Sequence, residues 1–345
     1  MTEFKILSID GGGIRGIMPA KILMELEYEL QRKHGEDARL YQYFDLICGT
    51  STGGIIALGL ALGVPAKEIF HFYQEHAKDI FPRWSKLLTV IRGTFYSRNR
   101  LEDLLIQAYC GKSSKDSVRL RDCKTRVCIP AYELGNGQLH VFKTPHNPRF
   151  VRDLHIPAVD VALMTSAAPV YFKPYTFSYN KIDSDITESC TNMIDGGMAA
   201  NNPSLIGILE ALGVGVQLKD IQLLSLGTGN TSFKEYEKCR LGLHFWTSVL
   251  NKSLSLRLYE LMAAAQSLYI GNSIEVLHNG IAQGYPDKFK YIRIQKELTQ
   301  NIPLDSSDSK SLKALTDYGQ NLFAQYSTEL LSFIENPITP YNQNG

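Results

Sequence analysis

Ser51 lies in a setting that is typical of a catalytic nucleophile. The hexapeptide GTSTGG (49–54) places it in the pattern G-x-S-x-G, after the apolar run YFDLICG (43–49) and before the apolar run TGGIIALGLALG (52–63). A serine on a tight turn between a strand and a helix exposes its hydroxyl, and small flanking glycines let the two elements pack closely. The start of the helix also favours negative charge beside that hydroxyl. The spacing therefore predicts a nucleophile rather than a plain bend.

A nucleophilic serine needs a base, and the chain offers two kinds. Asp195 closes the predicted strand TNMID (191–195) and is followed by two glycines. A carboxylate at such a strand end is expected at the sheet edge where the other glycine turns gather, close enough to take the proton of Ser51 directly. The sequence leaves open that Asp195 only bonds its own turn. It also leaves open a Ser-His-Asp arrangement with His244 or His278 as the base.

The segment DGGGIRG (10–16) also joins a predicted strand to a predicted helix. Consecutive glycines let backbone N–H groups approach a developing negative charge, which predicts an oxyanion hole. The components of this hole would be Gly11, Gly12 and Gly13, with Arg15 shaping the loop or adding positive potential. The same letters satisfy G-x-G-x-x-G, a dinucleotide-binding pattern, but the acidic residue expected at the end of the second strand is missing. A dinucleotide-binding oxidoreductase is therefore the weaker alternative.

Hydrophobic periodicity sets these turns in an α/β fold with a mostly parallel central sheet flanked by helices. The predicted strands are 4–9, 43–49, 126–132, 138–143, 191–195 and 221–226. The predicted helices are 16–33, 52–63, 65–77, 100–109, 158–167, 201–213, 254–278 and 309–334. The polar stretches are predicted as loops or a tail, namely 111–117, 178–190, 299–310 and 335–345. We expect one domain over residues 1–345, with a core of about 4–230 and a helical part of about 240–335.

Composition argues against several other classes of protein. The net charge of +1 provides no global attraction for a nucleic acid polymer or an anionic membrane. No apolar stretch approaches the roughly 18 residues of a membrane span, and the N-terminal sequence lacks the basic leader of a signal peptide. The six cysteines form no C-x-x-C pair and no Cys/His cluster with zinc spacing. We therefore expect a cytoplasmic protein with reduced thiols, no metal and no cofactor.

The motifs DGGGIRG, GTSTGG and DGG, in this order, resemble those of the patatin-like phospholipases, which are lipid acyl hydrolases with a Ser-Asp dyad. Longer segments are similar as well, namely LSIDGGGIRGIMPAKILMELE, DARLYQYFDLICGTSTGG, MTSAAPVYFKPY and LLSLGTGN. The resemblance covers residues 4–230 well and the remainder loosely. It implies the fold of patatins and of the cytosolic phospholipase A2 catalytic domain. It also implies an acyl-enzyme mechanism in which Ser51 is the nucleophile, Asp195 is the general base, and the backbone of residues 11–13, with Arg15 beside it, stabilises the oxyanion.

The same resemblance implies a phospholipid membrane as the substrate. Stand-alone bacterial patatin-like enzymes of this size are similar to the effectors of cyclic-oligonucleotide anti-phage systems, in which a second messenger switches on membrane degradation. This would place the protein at the inner membrane surface, with a cyclic oligonucleotide as activator, although no nucleotide motif in the sequence proves it. A homo-oligomer is left open. The alternatives are a constitutive esterase or lipase, and a lipid-binding or storage protein without turnover.

Two segments are candidates for contact with lipid. Residues 79–100 mix aromatic and aliphatic residues with five cations, which suits a membrane interface but equally a loop packed on the core. The sequence of residues 244–272 predicts one or two long helices with an apolar stripe. These helices would form a lid over an acyl pocket, or would pack in the core or at a dimer interface.

Overall fold

The computed structural model describes residues 3–82, 95–231, 252–284 and 289–341. The strands of these residues, β1 to β10 in chain order, are Phe4–Ile9, Leu46–Gly49, Arg126–Glu133, Gln138–Lys143, Tyr175–Asn180, Thr187–Asp195, Ile221–Leu226, Asn230–Thr231, Lys290–Ile294 and Glu297–Leu298. The α-helices, α1 to α10, are Ile17–His34, Thr52–Leu62, Ala66–Ile80, Asn99–Cys110, Ala158–Thr165, Gly197–Ala200, Ser204–Gly213, Lys252–Gly284, Ser309–Gln325 and Ser327–Leu331.

Eight strands of the described residues form one mixed sheet, in the order β5-β6-β3-β2-β1-β7-β9, with β4 also paired to β3. The five strands β3, β2, β1, β7 and β9 are parallel to one another, as the predicted α/β sheet requires. The pairs β3–β4, β3–β6 and β5–β6 are antiparallel. The sheet is thus a parallel centre with an antiparallel extension at one end.

Strands β2 and β6 approach each other along the same edge of β3. Cys128 of β3 pairs with Cys48 of β2 and with Lys143 of β4, so β2 and β4 lie on opposite edges. Residues 131–133 of β3 pair with both β4 and β6, so β6 shares the edge of β2. Because β2 is parallel to β3 and β6 is antiparallel, the turns that follow these two strands meet.

Helices cover both faces of the sheet, which is why the central strands are apolar throughout. All six residues of β1 are buried. Ile6 of β1 packs in a cluster with Ile208 of α7 and Ile270 of α8. Leu7 and Ile9 point to the opposite face, into the larger cluster to which α1, α2, α3, α5 and α9 contribute. The glycine turns at the strand ends are therefore anchored on a core that is packed from two sides.

The structure departs from the predicted elements in several places. Residues 178–190, predicted as a loop, contain the end of β5 and the start of β6. In β5 buried and exposed residues alternate, so its outward face is polar and was mistaken for loop sequence. The predicted helix 201–213 begins only at Ser204 and is preceded by the single turn of α6. The predicted helix 309–334 is two helices, α9 and α10, and strand β9 was not predicted.

Candidate active site

Ser51 occupies the strained turn between β2 and α2 that its motif predicts. Its backbone angles are φ 55° and ψ −124°, a left-handed φ that residues other than glycine rarely adopt. The flanking glycines are required for space: a Cβ on Gly49 would lie 2.1 Å from the carbonyl oxygen of Gly53, and one on Gly53 would lie 2.2 Å from that of Ile9. The close packing of strand and helix thus fixes the serine in the conformation of a nucleophile elbow.

The Ser51 hydroxyl donates a hydrogen bond to Asp195, with 2.6 Å between Oγ and Oδ2. Asp195 is fully buried and Ser51 is only 6% exposed. The two residues come from turns that meet because β2 and β6 run towards each other along one edge of β3. The sequence argument expected this neighbourhood at the carboxyl edge of a parallel sheet. The structure reaches it differently, since the strand that ends at Asp195 is antiparallel to its neighbour.

Burial raises the pKa of Asp195 from its ordinary value to about 7, because the charged carboxylate loses its water. Hydrogen bonds from the Ser51 hydroxyl, the Gly197 N–H and the Tyr259 hydroxyl favour the charged form and limit this rise. The bond from Gly197 N–H to Asp195 Oδ1 is 2.7 Å long. A carboxylate with a pKa near 7 is well suited to accept a proton and to return it at neutral pH.

The glycine loop after β1 presents two backbone donors rather than three. The N–H of Gly11 already donates to the carbonyl oxygen of Asn201, at 3.0 Å. Among the described residues, the N–H groups of Gly12 and Gly13 have no acceptor. The loop lies against Ser51, since a Cβ on Gly11 would be 3.2 Å from the Ser51 Cβ. The oxyanion role expected for Gly11 is therefore corrected, because its donor is already in use.

Arg15 holds the loop in place and is 5% exposed. Its Nε donates to the carbonyl oxygen of Ile302 at 2.6 Å, and its Nη2 lies 3.7 Å from the carboxylate of Glu260. Of the two roles that the sequence left open for Arg15, these contacts favour the shaping of the loop.

Asp10, the first residue of the loop, is held by a buried polar network. Both terminal nitrogens of Arg293 donate to its carboxylate, at 2.8 and 2.5 Å. Ser267 donates to the same carboxylate at 3.1 Å and accepts a hydrogen bond from Asn201 at 2.9 Å. Thr228, in the turn that follows β7, donates to the Gly11 carbonyl at 2.7 Å. The loop that would meet the oxyanion is therefore fixed by residues that are distant in sequence.

Several of these supporting residues escaped the sequence analysis. Tyr259, Glu260 and Ser267 lie on α8, where the sequence shows only an apolar stripe and no glycine motif. Thr165 accepts a hydrogen bond from the Ser51 N–H at 3.0 Å and donates to the carbonyl oxygen of Pro130 at 2.6 Å. Thr165 belongs to the segment MTSAAPVYFKPY, so the resemblance already pointed to its neighbourhood without assigning it a role.

A cavity opens in front of Ser51, bounded by the glycine loop, α8 and apolar side chains that include Ile55, Leu101 and Phe172. Its volume is about 80 Å³. Pockets that enclose drug-sized ligands usually measure roughly 300–1,000 Å³. The apolar lining suits an acyl chain, but a long chain can enter only if some of the lining moves.

The alternative bases and ligands find no support in the described residues. No histidine of this part of the chain lines the cavity, and His278 instead contacts the carbonyl oxygen of Phe289 through Nδ1. His244 and Cys239 lie outside the described residues. Within the described ranges there is no group of His, Cys, Asp and Glu residues arranged to hold a metal, and five cysteines are free.

The two segments considered for lipid contact are described only in part. Residues 83–94 and 244–251 lie outside the described residues. At the ends of the first segment, Phe81 and Tyr96 are buried and their rings pack edge to face, so these two aromatics belong to the core. Of the helices that the structure describes, none is both long and apolar enough to cross a membrane.

Comparison with known proteins matches residues 7–208 to the family model for patatin-like phospholipases. A protein of Escherichia coli (strain TW11681) named cGAMP-activated phospholipase is 36% identical over 361 residues, covering 98% of this chain and 95% of its own length. A Vibrio cholerae protein of the same name is 32% identical and covers 95% of this chain and 92% of its own. Patatin-like protein 2 of Arabidopsis thaliana is 33% identical over 94% of this chain and 82% of its own.

Proposed function

Since the chain belongs to the patatin-like phospholipase family, we propose that it hydrolyses acyl ester bonds of membrane phospholipids with Ser51 as nucleophile and Asp195 as general base. The observation that carries this proposal is the 2.6 Å hydrogen bond between the hydroxyl of a strained serine and a buried carboxylate. A nucleophile within hydrogen-bond reach of its base is the minimal unit for acyl transfer.

In the first half of the reaction, Ser51 Oγ forms a bond to the ester carbonyl carbon while Asp195 takes the hydroxyl proton. The negative charge that develops on the carbonyl oxygen faces the N–H groups of Gly12 and Gly13, each good donor contributing about 3 kcal/mol to the transition state. The tetrahedral intermediate then expels the glycerol oxygen, which takes the proton back from Asp195. This leaves an acyl-enzyme and a lysophospholipid.

In the second half, a water molecule attacks the acyl carbon as Asp195 removes one of its protons. The new tetrahedral intermediate expels Ser51 Oγ, which recovers that proton, and the fatty acid leaves. The pKa of Asp195 near 7 supports both proton transfers, because the carboxyl group exchanges its proton at little cost at neutral pH.

We further propose that a cyclic dinucleotide activates the enzyme at the cytoplasmic surface of the inner membrane. Two relatives that match nearly the whole chain carry the name cGAMP-activated phospholipase. The small volume of the cavity in front of Ser51 supports a need for activation, since an acyl chain requires a larger space.

Fatty-acid release from phospholipid liposomes tests the proposal, with wild type, Ser51→Ala and Asp195→Asn each assayed with and without cyclic GMP–AMP. Release that requires both residues and is stimulated by the nucleotide is the expected result. Release without any response to a panel of cyclic nucleotides would make the enzyme a constitutive lipase. Release that persists in Ser51→Ala would contradict the proposed chemistry.

A further inference from the structure

A second cavity lies between α8 and β9, beside the one that contains Ser51. Its volume is about 420 Å³, within the usual range for small-molecule sites. It shares three lining residues with the first cavity, Asn230, Ser267 and Gln295. The two cavities are therefore neighbours separated by the network that holds the glycine loop.

The side chains around this second cavity suit a nucleotide. Four of the side chains that line it are amides, whose donors and acceptors match the hydrogen-bonding edges of bases. They belong to Asn230, Asn272, Asn279 and Gln295. Tyr291 and His278 offer rings for contact with a base. Arg293 lines the cavity while its terminal nitrogens bond to Asp10 and Ser225, and Glu275 adds a carboxylate to the wall. The Tyr291 hydroxyl is buried and has no hydrogen-bond partner among the described residues.

The same cavity is joined to the catalytic loop by direct contacts. Arg293, in its wall, makes the two-pronged bond to Asp10 at the start of the glycine loop. Ser267, also in its wall, bonds to Asp10 and to Asn201. A ligand that contacts Arg293 or moves α8 would therefore change the position of the loop that carries Gly12 and Gly13.

Helix α8 provides a second connection. Upstream of the cavity wall, the same helix carries Tyr259, which bonds to Asp195, and Glu260, which pairs with Arg15. One helix thus contacts this second cavity, Asp195 and the arginine that holds the glycine loop. A small movement of such an element changes all three contacts together.

We propose that this second cavity, which we call the effector cavity, binds the cyclic dinucleotide that controls the enzyme. This inference rests on the proposed activation by such a messenger and specifies the site. The ligand activates by binding more tightly to the arrangement in which the glycine loop and Asp195 are set for catalysis.

Two glycines on α8 provide a matched test. Gly271 lines the effector cavity and Gly280 does not, and a Cβ on either would meet nothing within 4 Å. Gly271→Phe is therefore expected to fill the cavity without disturbing the helix, while Gly280→Phe makes the same change outside it. Both replacements remove a helix glycine, so their effects on helix stability are comparable.

The measurement is calorimetric binding of cyclic GMP–AMP to the full chain, followed by liposome hydrolysis over a range of nucleotide concentrations. We expect Gly271→Phe to weaken binding at least tenfold and to raise the activating concentration in proportion. Gly280→Phe should stay within about twofold of wild type. Equal binding by the two variants would overturn the assignment and place the nucleotide elsewhere. Thermal unfolding of both variants identifies any loss that comes from misfolding.

A third variant separates failure of this site from failure of the proposed function. Ser51→Ala should bind the nucleotide with wild-type affinity, because Ser51 does not line the effector cavity. If wild type shows Ser51-dependent hydrolysis but binds none of the cyclic nucleotides, the effector cavity is not a nucleotide site and the phospholipase proposal stands. If wild type binds cyclic GMP–AMP in a Gly271-dependent way but hydrolyses no lipid, the effector site stands and the proposed reaction fails.

Discussion

The glycine turns and helix α8 both contact Asp195, but they do so in different ways. The turn after β6 supplies the Gly197 N–H from two residues away, within the part of the chain that matches the family model. Helix α8 supplies the Tyr259 hydroxyl from more than sixty residues away, beyond that part. The turns bring together Ser51 and Asp195, the proposed nucleophile and base, whereas α8 contacts Asp195 and the arginine that holds the glycine loop. The proposed reacting groups and the residues that support them thus come from different regions of the fold.

The largest effect is expected at Asp195, in the region of the turns. Asp195→Asn removes the base and should lower kcat by about 10⁴-fold, as the loss of a triad carboxylate does. Above pH 7, the same variant should also have a higher Tm than wild type. A buried acid whose pKa is raised to about 7 binds its proton more tightly in the folded state, so its ionisation destabilises the fold as pH rises from about 4 to about 7.

Thermal unfolding of wild type and Asp195→Asn at pH 5 and pH 8 checks this second expectation. The difference in Tm should be larger at pH 8, and Asp185→Asn, the same change at an exposed carboxylate, serves as control. A difference that does not grow with pH would mean that the Asp195 carboxyl is not destabilised by burial.

The next effect concerns the glycine loop. A Cβ on Gly12 would lie 2.2 Å from Thr228 Oγ1, so Gly12→Ala should displace the loop and lower kcat by about 10²–10³-fold. Gly12 has a φ of 172°, an extended conformation open to alanine, so the obstacle is steric. Adding Thr228→Gly should restore part of the activity, with Thr228→Gly alone as control. Absence of any rescue would indicate that the loss has another cause.

A smaller effect, but one specific to α8, is expected at Tyr259. Tyr259→Phe removes a hydrogen bond that favours the charged carboxylate, so the pKa of Asp195 should rise further. We expect about tenfold lower kcat/KM at pH 7, with an acid limb of the pH–rate profile displaced upward by as much as about one unit and recovery near pH 9.

Tyr171→Phe is the matched control for this experiment. The Tyr171 ring lies 6.5 Å from that of Tyr259, and its hydroxyl has no hydrogen-bond partner among the described residues. The acid limb of this variant should coincide with that of wild type. If both variants move the acid limb equally, the shift reflects general packing rather than the bond to Asp195.

The smallest effect is expected at Glu260. Its carboxylate lies 3.7 Å from Arg15 Nη2, beyond hydrogen-bond length, and Arg15 also bonds to Ile302. Because glutamine keeps the shape of the side chain, Glu260→Gln should lower kcat only about two- to threefold. Glu29→Gln, which alters an exposed pair with Arg32, is a control of the same chemistry. Steady-state kinetics on a short-chain ester compare the two. A loss as large as that of Gly12→Ala would show that α8 contributes more to the loop than this geometry suggests.

The residues that we propose to react are predicted by the sequence because each lies in a local motif. Ser51 and its flanking glycines are contiguous, so the sterics of one turn define them. Asp195 was found by the same kind of turn, although the direction of its strand was not. Direction depends on pairing with β3, a contact between segments about 60 residues apart that leaves no local pattern. The hairpin of β5 and β6 escapes prediction for a different reason, because the polar outward face of β5 resembles loop sequence.

The supporting residues could not be found from the sequence, since a tyrosine or a serine on an amphipathic helix resembles any other. The sequence by itself determined the α/β class, the nucleophile elbow, the glycine loop and the candidate base, because local backbone geometry and hydrophobic periodicity specify them. Only the tertiary structure decided that the Gly11 N–H donates to the carbonyl oxygen of Asn201, that the Tyr259 hydroxyl bonds to Asp195, and that Arg293 bonds to Asp10. Those contacts depend on burial and on which distant surfaces meet, and these are properties of the packed chain.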